Sequence, residues 1–224
     1  MRSKLLLTGA GIAILLGGVA CTTTDPYSSA PRRNNTGTGV IAGALGGALL
    51  GYLTNTSNSE EGRKNALIGA GIGALGGAAV GQYMDRQQRE LEAELSGSGV
   101  GVARQGDNLV LRMPSDVTFA SNQASINPRF NTTLDDVAGV LNRYDQSIVD
   151  IVGHADSDGT DEYNLDLSRR RASSVAQYLV SRNVLADRVY VDGRGESAPI
   201  TSNATAEGKA QNRRVEILIR PFRG

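Results

Sequence analysis

The sequence predicts an α/β protein: a β-α-β-α-β-(short α)-β sandwich with helices on one face of its sheet, preceded by a glycine-rich helical hairpin. Three observations predict it. From about residue 102 onward, short aliphatic strand patterns alternate with amphipathic helical ones, the order that builds a sheet covered by helices. Upstream, two glycine-rich apolar runs repeat one another. Tryptophan is absent and only 3 of the 224 residues are phenylalanine, so the core is aliphatic. The 23 basic residues balance 23 acidic ones. That argues against a nucleic-acid partner, because no cationic excess is available to neutralise phosphates.

The chain opens with Arg2 and Lys4 ahead of an apolar stretch from Leu5 to Leu16. That is the length of a secretory signal and short for a spanning helix. It ends Leu16-Gly17-Gly18-Val19-Ala20-Cys21. Small residues just before a cysteine resemble a bacterial lipobox. The resemblance implies a signal peptide over residues 1–20, removed so that Cys21 becomes an acylated N-terminus. Cys21 is the sole cysteine, so no disulfide forms within the chain. Thr22 and Thr23 follow it where an aspartate would favour the inner membrane, and the lipoprotein pattern therefore implies the outer membrane. Two or more acyl chains make a stable anchor where one is marginal. Loss of Arg2 and Lys4 leaves 21 basic against 23 acidic residues, a net charge of −2.

Residues 21–38 are rich in Thr, Ser, Asn and Pro, the composition of a flexible tether. Residues 39–84 hold the repeat: Gly43-Ala44-Leu45-Gly46-Gly47-Ala48 recurs 30 residues later as Gly73-Ala74-Leu75-Gly76-Gly77-Ala78. Glycine falls at 39, 43, 47 and 51 and again at 69, 73, 77 and 81, a spacing that puts it on one helical face. Such faces let two backbones approach closely. The pattern predicts helices over 39–53 and 68–81, with Thr54 to Asn65 as the turn between them. Both runs fall short of the roughly 20 residues needed to span a bilayer. Insertion, a surface-lying or self-associating hairpin and a disordered glycine-rich tract all stay open. Residues 85–101 read as a charged helix running from Tyr83 to Leu95, then a Ser96–Gly101 linker ending at a domain boundary.

In residues 102–224 the elements follow in order. Asn108–Met113 is a strand ending at Pro114, and Val117–Phe119 reads as a short extension of it. Pro128 opens a helix through about Arg143, with Phe130, Leu134, Val137, Ala138 and Leu141 at helical spacing. A strand at 148–153 leads to a helix at about 161–182, whose Leu165, Ser168, Ala172, Val175, Ala176 and Leu179 face inward. Val189–Val191 is a strand, Thr205–Asn212 a short helix, and Arg214–Ile219 a final alternating strand.

The chemistry gathers where the 148–153 strand runs into Gly153-His154-Ala155-Asp156-Ser157-Asp158-Gly159. On the following helix, Asn164, Leu167 and Arg171 share a strip at the edge of the buried face. The strand delivers Asp156 to the end where that helix begins, and free N–H groups at a helix start attract a carboxylate. A carboxylate for an ammonium, and a guanidinium for a carboxylate, suit the zwitterionic end of an amino acid. Spacing alone favours an ordinary surface Asp–Arg ion pair at the strand–helix junction. Charge-assisted bonds contribute about 1.5–3 kcal/mol each, so two or three imply roughly micromolar to millimolar binding. Weak sites of that kind suit a polymer gripped at many points.

These motifs, together with Gly193-Arg194-Gly195-Glu196-Ser197-Ala198-Pro199, Asn203, Thr205-Ala206-Glu207-Gly208 and Gln211-Asn212-Arg213-Arg214-Val215-Glu216, resemble the OmpA-like peptidoglycan-binding domain. The resemblance runs in order from about residue 110 to 220. It implies a periplasmic domain without catalytic activity, no cofactor and no metal, gripping the diaminopimelate of the peptidoglycan stem peptide. The clamp residues it implies are Asp156 and Arg171, with Asn164, Leu167 and Arg214 lining or supporting the groove. The glycine runs resemble the glycine-zipper regions of bacterial surface lipoproteins. Two segments depart from the family pattern. Ala155 stands where a threonine is usual, and Phe119-Ala120-Ser121-Asn122-Gln123-Ala124 lacks two carboxylates, which puts a site contact from that loop in doubt although Asn122 can still hydrogen-bond.

Other chemistries fit less well. Asp156-Ser157-Asp158-Gly159 has its glycine fourth, and Leu167 stands where an EF-hand needs glutamate. With one histidine, His154, and the one cysteine at the lipobox, a Cys–His nucleophile pair is excluded. His154, at a strand end, is expected to be structural and hydrogen-bonded to backbone. The expectation is therefore an outer-membrane lipoprotein that holds the envelope to peptidoglycan. The alternative is a structural or assembly factor acting through its glycine hairpin.

Overall fold

The computed structural model describes residues 60–119 and 123–223. The signal segment, Cys21, the tether, the first glycine run and Asn122 lie outside these residues.

Two helices come first, α1 (Glu60–Gly69) and α2 (Gly77–Glu94). A strand pair follows, β1 (Gly101–Gln105) and β2 (Asn108–Pro114), then the one-turn α3 (Ser115–Thr118). Next are α4 (Asn131–Arg143), β3 (Ser147–His154), α5 (Asp161–Ser181), β4 (Val189–Gly193), α6 (Ala206–Asn212) and β5 (Arg214–Pro221). The sheet order is β1-β2-β5-β3-β4, with β3 and β4 parallel and the other pairs antiparallel. The β3-α5-β4 crossover is the parallel unit, and β5 lies between β2 and β3. One sheet face carries Leu109, Leu111, Met113, Val149, Ile151, Val215, Ile217 and Ile219, all fully buried against α2, α4 and α5. Two-residue alternation along the strands puts them on a single face.

Six sequence expectations are corrected. Residues 60–65, expected in a turn, are helical because α1 docks on the opposite sheet face. Its Leu67 is buried with Ile148 and Phe222, and Arg63 stacks 4.0 Å over the Tyr190 ring while pairing with Asp150. The second glycine run is not one helix. It breaks after Gly69, turns through Gly71 (φ +81°), and bonds Leu75 N–H to the Phe222 carbonyl before α2 resumes at Gly77. The helix expected as a charged preface buries Val80, Met84 and Leu91 in the main core, and Tyr83 meets Tyr144 edge-on at 5.3 Å. Beyond it, the linker ends in the extra edge strand β1. Val117 and Thr118 belong to the α3 turn, not to an extended strand, and Phe119 alone bridges to Ile126. Leu165 is 40% exposed, because Asn164 takes the inward position beside it.

Close approach of α5 to the sheet sets the site. A Cβ on Gly153 would lie 1.9 Å from the Ser168 carbonyl oxygen, and one on Gly193 would lie 2.7 Å from the Arg169 nitrogen. Only glycine at these two strand ends lets the helix lie this low. Behind α4, Arg188 is 1% exposed and donates to the Leu141, Tyr144 and Ser147 carbonyls and the Ser147 hydroxyl at 2.7–2.9 Å. Its cation thereby caps the negative C-terminal end of that helix.

Candidate functional site

At the C-terminal edge of β3 the chain leaves the sheet at Ala155 and Asp156, and α5 returns alongside. A pocket of about 400 Å³ opens there, lined by Ser115, Asp116 and Phe119 from the β2–α3 corner, Asp156 and Asp158 from the loop, Asn164, Leu167 and Arg171 from α5, and Arg213 before β5. Asp156 and Arg171 thus share one pocket without pairing. The Asp156 Oδ1 accepts the Asp158 N–H at 3.0 Å, and its Oδ2 accepts from Arg213 Nη1 at 2.7 Å. The ordinary Asp156–Arg171 ion pair is not formed.

Arg171 is 5% exposed. Its Nε donates to the Gln123 carbonyl at 3.0 Å, and its guanidinium lies 5.3 Å from the centre of the Phe119 ring. Among the described residues its two terminal nitrogens take no hydrogen-bond partner, so they are available to an anion. Burial pulls its pKa below the ordinary arginine value, the cost of holding a cation out of water. A ligand carboxylate would reverse that cost. The start of α5 plays a smaller part than expected, because Thr160 Oγ1 already accepts the Tyr163 N–H at 3.3 Å. Arg171 is the pocket's buried guanidinium, with only its Nε engaged among the described residues.

Asn164 and Leu167 lie where the helical strip puts them, buried and lining the pocket. The Asn164 amide also braces the loop, donating to the Asp156 carbonyl at 3.1 Å and to Glu196 at 2.7 Å. Arg214 is not in the lining. It is 4% exposed and donates to Glu216, the Asn212 carbonyl and the Ala198 carbonyl, holding β5 to the loop before it. Its neighbour Arg213 points the other way, into the pocket, as alternation along a strand requires. Arg213, Asp116, Ser115 and Phe119 are site residues that sequence reasoning missed. The Arg213-Arg214 doublet at the start of an alternating strand was the available signal for Arg213. Asp116 had none: it falls between the strand ending at Pro114 and the expected extension at Val117–Phe119.

Asp116 accepts two bonds from Arg213, Nε to Oδ1 at 3.1 Å and Nη2 to Oδ2 at 2.9 Å. That pairing holds the Asp116 carboxyl below the usual carboxylate range and raises Arg213 further. The calcium-like loop is neutralised from within, since Lys209 Nζ takes Asp158 at 2.6 Å while Arg213 takes Asp156. His154 departs from expectation. It is 5% exposed, and neither ring nitrogen has a hydrogen-bond partner, with Glu216 3.8 Å from Nε2. Burial first, then the Arg214 charge, depress its pKa to about 4.

Comparison with known proteins agrees with this architecture. The OmpA family model matches residues 118–213, and a YMGG-like Gly-zipper model matches residues 1–85. The chain is 42% identical over 222 residues to the Probable lipoprotein YiaD of Escherichia coli K12, an alignment that covers 99% of this chain and 100% of that one. The chain belongs to the OmpA family. It is also 42% identical over 103 residues to the Peptidoglycan-binding protein ArfA of Mycobacterium tuberculosis, covering 46% of this chain and 32% of ArfA. Among solved structures, the cell wall anchor of the T6SS from Pseudomonas aeruginosa superposes with a TM-score of 0.56 at 34% identity, over 62% of this chain and 99% of that one. A MotB-like protein from Desulfovibrio vulgaris shares the fold, with a TM-score of 0.58 at 22% identity over 66% of this chain and 94% of that one. Among the described residues, no helix is long and apolar enough to cross a membrane.

Proposed function

We propose that this chain is an outer-membrane lipoprotein, acylated at Cys21, whose pocket binds the free amino-acid end of diaminopimelate in the peptidoglycan stem peptide. It thereby holds the outer membrane to the cell wall without catalysis. The observation that carries this reading is that Asp156 and Arg171 face one pocket without pairing to each other, with the Arg171 terminal nitrogens unclaimed among the described residues. Asp156 would take the ammonium and Arg171 the carboxylate, with Leu167 packing against the carbon chain between them. Relatives named as a lipoprotein, a peptidoglycan-binding protein and a cell wall anchor support it. The test is co-sedimentation of the purified full chain with diaminopimelate-type sacculi. The chain pellets with the sacculi, and Asp156→Asn or Arg171→Ala leaves it in the supernatant. Pelleting of both variants at the original level would refute the assignment.

A second activity rests on the glycine repeat: self-association or membrane contact of residues 39–84. A Cβ at Gly77 would meet no described atom within 4 Å, and one at Gly73 meets only the Gln146 Nε2. Replacing Gly43, Gly47, Gly73 and Gly77 by leucine should therefore abolish assembly, read by analytical ultracentrifugation in detergent, while sacculus binding survives. Assembly unaffected by the four leucines would exclude this activity.

A further inference from the structure

Of the two guanidinium groups in the pocket, Arg171 donates only its Nε to protein, whereas Arg213 is fully engaged between two carboxylates. The arrangement poses an electrostatic problem for the ligand. Asp156 is the group that would receive an ammonium, yet a cation already sits 2.7 Å from its Oδ2. An ammonium brought to Asp156 would be repelled by that guanidinium unless something cancelled its charge. Asp116 does so, through a two-point pair that fits the planar guanidinium fork.

We propose that Asp116 determines specificity for amino-acid zwitterions: by holding Arg213 from the far side, it leaves Asp156 free to accept an ammonium. This inference rests on the reading of the pocket given above. The position of Asp116 is built by its corner. Ser115 N–H bonds the Arg213 carbonyl at 2.9 Å, Thr118 Oγ1 bonds the Pro114 carbonyl at 2.8 Å, and Pro114 pairs in register with Arg214. The Ser115 hydroxyl is buried, has no hydrogen-bond partner, and belongs to a residue that lines the pocket. Charge counting agrees. Asp116, Asp156 and Asp158 face Arg171, Arg213 and the Lys209 that pairs with Asp158, a balance suited to a ligand of no net charge.

The experiment is isothermal titration of the full chain with meso-diaminopimelate and with pimelate, the same dicarboxylate without its amines. The Asp116 side chain is 55% exposed, so Asp116→Asn is a surface change, and its thermal melt serves as a folding control. Asp116→Asn should weaken diaminopimelate binding roughly tenfold, about the weight of one charge-assisted bond. Pimelate binding should be no weaker than in the parent. The double variant Asp116→Asn/Arg213→Gln should recover diaminopimelate binding, because the stray cation is then gone. Unchanged diaminopimelate affinity in Asp116→Asn, or equal weakening of both ligands, would overturn the proposal and leave the pocket reading standing. A parent chain that ignores diaminopimelate would overturn both.

Discussion

His154 offers a quantitative test of how the strand end beneath the site is built. It is the only histidine in the chain, so its imidazole protons are assigned in an NMR spectrum without further labelling. Burial disfavours the imidazolium, and the Arg214 cation disfavours it further, while Glu216 pulls the other way. The net result is a folded-state value of about 4 against 6.5 for an ordinary histidine. Between those values the unfolded chain binds a proton that the folded chain refuses, so stability rises with pH. The contribution is present in full above pH 6.5 and is lost as pH falls toward 4. The gap is worth at most about 3 kcal/mol, a large share of a typical domain's stability. Urea unfolding of the parent and of His154→Gln at pH 7.5 and 4.5 isolates this share from the carboxylates, which titrate in both. The parent should lose about 2–3 kcal/mol more than the variant over that range. An imidazole titrating near 6.5, or parallel losses in the two proteins, would refute the reasoning.

Three further outcomes follow from packing. Arg188→Met strips three backbone carbonyls and one hydroxyl of their donor and should cost about 3–5 kcal/mol in urea unfolding, with Arg188→Lys recovering only part of it. Gly153→Ala forces a methyl against the Ser168 carbonyl and should cost about 2–3 kcal/mol, measured by thermal melt together with loss of sacculus binding as α5 lifts from β3. A fragment beginning at residue 100 loses Val80, Met84 and Leu91 from the core, each worth about 1.5–3 kcal/mol of burial. It should melt well below a fragment beginning at residue 60; equal melting temperatures would show that α2 is dispensable.

Much of the sheet was legible because its strands alternate. Leu109, Leu111 and Met113, and Val215, Ile217 and Ile219, declare an inner face by period alone. The strip Asn164, Leu167 and Arg171 was legible for the same reason on a helix. The glycine-rich motifs were recognisable, but they serve as scaffold. The Gly195 carbonyl accepts the Ala155 N–H and its own N–H reaches the Ser168 hydroxyl, so the 193–199 turn fixes the loop that carries Asp156. What sequence reasoning missed depends on contacts distant in the chain. In α2 the core residues Val80, Met84 and Leu91 do recur at helical spacing, but Gln87 interrupts the stripe and charges fill the turns between. Nothing local brings Asp116 to Arg213, which lies 97 residues further on. The helical reading of the second glycine run failed at Gly71, where a left-handed backbone turns the chain toward Phe222.

The most direct test of the central claim compares two walls. Diaminopimelate ends in an ammonium and a carboxylate on one carbon, whereas lysine at the same position in a stem peptide ends in an ammonium alone. A pocket with Asp156 on one side and Arg171 on the other needs both charges. The full chain, co-sedimented with sacculi of the two types at equal mass, should pellet with the diaminopimelate type and stay in solution with the lysine type. Equal pelleting with both would contradict the claim that Arg171 reads a carboxylate.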